Sequence, residues 1–388
     1  MRYRYSAGEN GKPVKKAAIY TGDEHGINFA DVDIEAVSIV RKLKAAGYET
    51  YIVGGAVRDL ILGKKPKDFD IVSAASPTRI RKLFRNSRII GRRYRLVHVY
   101  FGQRIFEVST FRSLKEGYTG NVFGSIDEDV FRRDFTMNAL FYDPEQQVVI
   151  DYLGGMDDIK KRQIKPIIPI SEIFTEDPVR MIRAVKYAAA TGFSLPLNIK
   201  LKIKKQSDLL TSISSSRLTE EIFKIIYSGK AAAIVDLLDK LGLYFYLQPQ
   251  AAKLMRKDAE FRRRYLQSMA ALSEVRGGAE IRRGQALCAL FYDYLEHTKT
   301  WEPGVIESYK EIFQLARSFV LPMNPPRFDM ERAVRRFLAG HGITVKRPQP
   351  KPLVHDGAAA KPASARKRRR RPKKAKSEEQ GNKVGNEE

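Results

Sequence analysis

Apolar positions change their spacing twice along the chain, and the two changes divide it. The first thirty residues are polar and without period, and read as irregular. Over 33–46, Ile34, Val37, Val40 and Leu43 recur at helical steps that stop at Gly47, which predicts an amphipathic helix. Short elements then alternate: an apolar strand at 50–53, a Gly-Gly break, a helix at 56–62 closed by Gly63, and a strand at 69–72. Ser76-Pro77 reads as an N-cap with a first-turn proline, opening a helix that runs to Phe84. Two strands at 95–101 and 104–111, joined by Gly102-Gln103, form a hairpin, and 148–152 is one more strand. From Thr175 the period is helical almost to the end, as over 179–190, 218–227, 231–241, 285–297 and 305–319. No internal repeat is present. From Lys346, Pro, Ala, Lys and Arg replace the apolar period, and the chain reads as disordered.

The expected architecture is an α/β head, a mixed sheet with flanking helices, at 31–165. An all-α neck at 166–230 and body at 231–345 follow. An irregular segment at 1–30 precedes the head, and a disordered basic C-terminal tail at 346–388 ends the chain. Hydrophobic residues at 43% exclude a chain disordered throughout. A single cysteine, Cys288, excludes a disulfide scaffold or a cysteine zinc site and fits a reducing, cytoplasmic setting. No run of eighteen apolar residues predicts a membrane span, and the N-terminus lacks the apolar core of a signal peptide.

Charge narrows the function classes. Lys and Arg number 70 against 45 Asp and Glu, a net +25, which points to a polyanion: nucleic acid or an anionic membrane surface. Residues 361–376 hold ten basic residues and no acid, among them Arg366, Lys367, Arg368, Arg369, Arg370 and Arg371. Such a run is a solvated charge block, a localisation signal or a nucleic-acid-binding arm. The rest of the chain is also basic, which favours the arm.

Four local patterns carry chemistry. Asp68-Phe69-Asp70, read as part of a strand, puts two carboxylates on one face. They repel unless a hard cation such as Mg²⁺ sits between them. A dozen residues earlier, Gly54-Gly55 lies between a strand and a helix and lets backbone N–H groups approach a ligand, with Arg58 one turn on to reach a triphosphate. Glu107, mid-strand, is either an exposed position or a third carboxylate for a two-metal site. In the run 175–183, Thr175 caps a helix and Asp177, Arg180 and Arg183 share one face. Asp177 and Arg180 form either an i,i+3 ion pair or an acceptor–donor pair for a base edge. That edge would be adenine or cytosine, which present the same two groups. The aromatics Tyr244, Phe245, Tyr246 and Trp301 read as core, and His98 receives no catalytic role.

These motifs in order resemble the class II nucleotidyltransferases: Gly54-Gly55-x-Val57-Arg58-Asp59-Leu60…Gly63…Asp68-Phe69-Asp70, Arg132-Arg133-Asp134-Phe135-Thr136-x-Asn138-Ala139, and Glu176-Asp177-Pro178-x-Arg180-x-x-Arg183-Ala184. The resemblance covers about residues 30–230 of a family that holds bacterial poly(A) polymerases and CCA-adding enzymes. The stretch 89–98, Ile-Ile-Gly-Arg-Arg-Tyr-Arg-Leu-Val-His, is similar to the signature of the poly(A) polymerase branch. The resemblance implies Asp68, Asp70 and Glu107 as holders of two Mg²⁺, with Mn²⁺ as a substitute. It implies Gly54, Gly55, Arg58, Arg133 and Arg183 on the nucleotide, and Asp177 with Arg180 at the base. The implied activity is template-independent addition of AMP from ATP to RNA 3′ ends, with release of pyrophosphate. RNA-degradation or RNA-chaperone proteins are further candidate partners. CCA addition to tRNA from CTP and ATP is the nearer alternative. A non-catalytic RNA-binding protein is the remoter one, and the three carboxylates argue against it. Two departures bear on the RNA path: the C-terminal helical motifs of the family have no match after about residue 250, and the segment 113–122 is short.

Overall fold

A computed structural model describes residues 2–7, 13–91, 96–113, 115, 122–273, 281–298 and 305–345. Its strands are β1 (Arg2–Ala7), β2 (Pro13–Tyr20), β3 (Thr50–Val53), β4 (Asp70–Ser73), β5 (Ser87–Ile90), β6 (Leu96–Phe101), β7 (Arg104–Thr110), β8 (Leu140–Asp143) and β9 (Val148–Asp151). They form one mixed sheet in the order β1-β2-β9-β8-β3-β4-β7-β6-β5. Among these pairs, β4–β7 is parallel and the others are antiparallel. The expected hairpin is present, with Phe101 opposite Arg104.

All four residues of β3 are buried. Ile52 joins a large core, while Tyr51 and Val53 join a smaller cluster with Phe141 and Val130 on the other face of the sheet. A strand covered on both faces reads as a continuous apolar run, as this one does.

The helix α1 (Ile34–Ala45) is capped by Asp33, whose carboxylate accepts from Glu35 N at 2.9 Å and Ala36 N at 3.3 Å. Val37, Val40 and Leu43 are buried as their spacing predicts, but Ile34 is 67% exposed. The helix start lies at a polar rim where Arg104 pairs with Asp33 and, at 2.7 Å, with Glu35. Two further helices flank the strands: α2 (Gly55–Ile61) and α3 (Pro77–Leu83), the latter capped by Ser76.

Residues 1–30 depart from expectation. Instead of an irregular segment they hold β1 and β2, and β2 extends the sheet by pairing with β9, Ile19 opposite Ile150. The hairpin is tied down by polar contacts, Arg4 to Glu49 at 3.1 Å and Lys16 to Asp127. Its composition therefore shows little apolar alternation. β5 and β8 were also unforeseen.

Beyond the sheet the described chain is helical. A helix α4 (Ile126–Phe131) precedes β8; α5 (Val179–Thr191) and α6 (Ser215–Ile226) follow β9. One hydrophobic core cluster runs from Ala18 to Leu338, so sheet and helices share an interior. Tyr244 is buried there and shares a 2.7 Å hydrogen bond with Tyr265. Trp301 lies outside the described residues. No helix among the described residues is long and apolar enough to cross a membrane.

Candidate active site

β3 ends at Val53, and the next residue turns the chain. Gly54 has φ 72° and ψ −134°, a conformation that residues with a Cβ avoid. A Cβ there would also point at Arg133 Nη1 and Asp70 Oδ2, each 3.8 Å away. Asp70 opens β4 directly opposite Val53. Asp68 precedes the strand, so the two aspartates are not at strand positions i and i+2; they reach the same region from irregular and extended backbone respectively. Parallel pairing of Ile71 with Val108 brings Glu107 alongside Asp70. His98 stands across β6–β7 from Glu107, its Nε2 3.4 Å from the carboxylate.

The other two predicted carboxylates thus both act on Asp70. Surrounding protein, then the negative charge of Glu107, pushes the Asp70 carboxyl up to about 6, with Asp68 adding to the effect and Arg133 opposing it. Asp70 is open to solvent through the cleft mouth yet crowded by protein elsewhere. Among the described residues no three carboxylate, histidine or cysteine side chains converge closely enough to enclose a metal ion. An incomplete oxygen set suits an ion that keeps waters and substrate phosphates as its other ligands, as Mg²⁺ does.

A cleft of about 630 Å³ lies over Gly54, Gly55 and Asp70. On its other side stand Asp177, Arg180, Arg183 and Tyr187 of the α5 region. Arg112, Arg132, Arg133 and Arg217 complete a lining that also includes Asp134 and Asn138. Six arginines against three carboxylates make this a site for a polyanion.

The segment after α4 sets the floor. Asp134 accepts from Phe135 N at 2.8 Å and Asn138 Nδ2 at 3.0 Å, and Asn138 Oδ1 accepts from Arg58 Nη1 at 2.7 Å. Arg133 donates to Asp129 at 2.9 Å and lies over the Phe141 ring. Arg58, predicted on the triphosphate, is instead buried beneath Gly55. It donates to Asp59 and Asn138, lies over the Tyr187 ring and is not part of the cleft lining.

The base-reading candidates sit at the start of α5. Thr175 does not cap it: a short helix, Ile173–Glu176, comes first, and the Thr175 hydroxyl donates to Glu172 O at 2.8 Å. Pro178 stands at the N-cap, and Asp177 just before it accepts from Val179 N at 3.2 Å. Its other oxygen accepts from Arg217 Nη2 of α6 at 2.6 Å. Arg180 is buried and donates to Arg132 O at 3.2 Å; burial lowers its pKa. Arg183 lies 3.8 Å from Asp134 and 3.6 Å from Glu221.

Sequence reading missed Arg217 and Glu221 on α6, and assigned no role to Asp134, Asn138 or Tyr187. Asp134 and Asn138 lie inside a quoted motif and were within reach. Arg217 is an unremarkable surface-type residue forty positions from Asp177. Arg92, Arg93 and Arg95 and the tail residues 366–371 lie outside the described residues.

Comparison with known proteins adds to this geometry. Residues 50–165 match the Poly A polymerase head domain family, and 192–255 match the family described as probable RNA and SrmB-binding site of polymerase A. Poly(A) polymerase I of Escherichia coli O157:H7 is 41% identical over 254 residues, 61% of this chain and 55% of that one. A CCA-adding enzyme of Geobacillus kaustophilus is 38% identical over 236 residues, 59% of this chain and 58% of that one. The chain thus spans little more than half the length of these curated relatives. The crystal structure of the Bacillus stearothermophilus CCA-adding enzyme in complex with CTP superposes with a TM-score of 0.55 at 27% identity, over 79% of this chain and 82% of that one.

Proposed function

Given that this chain belongs to the nucleotidyltransferase family of bacterial poly(A) polymerases and CCA-adding enzymes, we propose that it adds AMP from ATP to RNA 3′ ends without a template, releasing pyrophosphate. The observation that carries nucleotidyl transfer is the meeting, in one arginine-lined cleft, of Asp70 with the Asp177–Arg180–Arg183 face.

In this reading Asp177 accepts from the exocyclic amine of the base and Arg180 donates to the adjacent ring nitrogen. Arg133 and Arg183 bind the triphosphate and offset the negative charge of the departing pyrophosphate. Gly54 and Gly55 let the nucleotide approach the sheet end. Arg58 acts indirectly by fixing Asn138. The 3′-hydroxyl oxygen of RNA attacks the α-phosphorus in line, the bond to the bridging oxygen breaks, and no side chain becomes covalently attached. Asp68, Asp70 and Glu107 offer only oxygen donors that repel one another, a set suited to hard divalent ions. They would hold two Mg²⁺, or Mn²⁺ in their place, whose chemistry is to acidify the hydroxyl and neutralise the departing pyrophosphate. The basic tail serves as an RNA-binding arm, and the setting is cytoplasmic.

Preference for ATP rests on the 89–98 stretch, since the Asp177–Arg180 pair treats adenine and cytosine alike. The CCA-adding relative and the CTP-bound neighbour favour a second reading, addition of C, C and A to tRNA. CTP alone, supplied with a tRNA truncated before its CCA end, separates the two. Addition of two cytidines followed by arrest overturns polyadenylation. Long tails on unstructured RNA from ATP, with CTP inert, sustain it.

A further inference from the structure

We propose that the helical body carries a second RNA site, separate from the cleft. In it one unstacked base and its flanking phosphates, upstream of the 3′ end, lodge between three helices. The proposal deepens the reading above and rests on the substrate being RNA.

A cavity of about 600 Å³ opens among α7 (Ala259–Ser273), α8 (Arg283–Thr298) and α9 (Arg327–Gly340), within the size range of small-ligand sites. Leu272, Ile281 and Ala289 make its wall apolar, and Tyr292 adds an aromatic ring. Phe337 at 5.3 Å and His341 at 6.3 Å hold that ring in place, and Tyr292 is still 36% exposed. An aromatic wall of this kind takes a base of any identity. A second cavity of about 190 Å³ adjoins the first, with Gln285 and Arg336 lining both. Arg282 and Arg332 also line it, and no acid lines either cavity.

Packing puts these cations together. Gly284 is buried, and a Cβ on it would lie 3.0 Å from the Cβ of Arg332, so α8 and α9 cross there with no room for a side chain. Arg332 and Arg336, one turn apart on α9, thereby stand at the start of α8 with Arg282. Neighbouring arginines are answered: Arg283 donates to Glu220 of α6 at 3.1 Å, and Arg335 lies 3.7 Å from Glu331. Among the described residues, Arg282, Arg332 and Arg336 have no carboxylate partner. Three like charges around one cavity call for an anion, and arginine suits phosphate. The apolar pocket alongside favours a nucleotide, which joins a base to phosphates, over an acidic peptide. One helical turn and one ion pair separate this groove from the cleft: Arg217 lines the cleft, Glu220 follows on α6, and Arg283, bound to it, is next to Arg282. The groove lies beyond residue 255, where the match to the RNA-binding family ends.

The test is filter binding of an unstructured RNA, without nucleotide, to the full chain and to two variants, Arg332→Gln/Arg336→Gln and Ala339→Trp. Ala339 lines the larger cavity from an exposed position, so tryptophan there fills the pocket without entering the core. The arginine variant should bind RNA about tenfold more weakly, with a log–log salt slope shallower by about 1.4. Abasic sites placed one after another along the RNA should cost the wild type about five- to a hundredfold at one position upstream of the end. Ala339→Trp should be indifferent to that replacement. Extension of a saturating dinucleotide primer, and Tm, should hold in both variants. Unchanged affinity and slope in the arginine variant overturn the site, as does an abasic series with no such position in the wild type. An equal loss with the dinucleotide primer also overturns it, because the arginines would then act on the cleft. RNA binding retained while adhesion to phosphatidylserine vesicles is lost would assign the groove to a membrane. A fall in Tm of the arginine variant leaves the decision to the abasic series on the wild type and Ala339→Trp. If the wild type binds RNA with this pattern yet adds no nucleotide to any RNA, the proposed function falls and the site stands.

Discussion

Val53 stands directly opposite Asp70 across the β3–β4 ladder, so the glycine turn and the candidate metal-binding aspartate leave the sheet side by side. Replacing Asp70, or Asp68 beside it, with Asn should lower the rate of RNA extension by several orders of magnitude. RNA affinity, measured by filter binding, should stay near wild type. Extension at the wild-type rate in saturating Mg²⁺ would remove both residues from the chemistry.

Gly54→Ala forces a Cβ onto backbone at φ 72° and aims it at Asp70 and Arg133. The expected cost is about 1–3 kcal/mol of stability, visible as a lower urea midpoint, with a fall in activity larger than the loss of fold accounts for. A neutral substitution would mean the turn relaxes without disturbing the cleft.

Glu221 offers a pH test that needs no substrate. Burial alone would raise its carboxyl, but Lys186, Arg183 and Lys224 outweigh burial and hold it down to about 2 from an ordinary 4.5. A depressed carboxylate contributes its full stabilisation above the unfolded value, and that contribution is lost as pH falls from about 4.5 through the folded value. Wild type should exceed Glu221→Gln in stability by roughly 3 kcal/mol near neutrality, a gap that closes towards pH 2. A gap constant over that range would mean the cluster does not depend on this charge.

Deleting residues 361–388 should lower RNA affinity and flatten its dependence on salt, while sparing the rate at saturating RNA. Each tail cation that neutralises a phosphate on single-stranded RNA steepens the log–log salt slope by about 0.7. An identical slope in the truncated protein would assign the tail another task.

How much of this could be read beforehand depends on how local each signal is. β3, buried on both faces, and the β6–β7 hairpin, bounded by Gly102, announce themselves within a few residues. β8 is equally buried and as short as β3, but no glycine break sets its apolar run off from the helical turn before it. β1 alternates arginine with tyrosine over only four residues, with Tyr3 against the core and Arg4 paired to Glu49, too brief a period to stand out in a polar segment. The site divides in the same way. Gly54, Asp70, Asp177 and Arg180 stand in compact motifs, and the fold brings them to one cleft. Arg58 belongs to such a motif too, yet Asn138, eighty positions away, draws it beneath the floor. Arg217 becomes meaningful only when α6 packs beside α5.

The pairing of β2 with β9 joins Ala18, Ile19 and Tyr20 to Asp151, Ile150 and Val149. Among the described strands, β2 must therefore wait for a partner that follows all the others in the chain. Contacts so distant along the chain form slowly. Until they form, the β9 backbone is an open edge that any extended chain can join. Refolding of the denatured protein should accordingly yield hairpin-exchanged dimers in proportion to concentration, and dilution should suppress them.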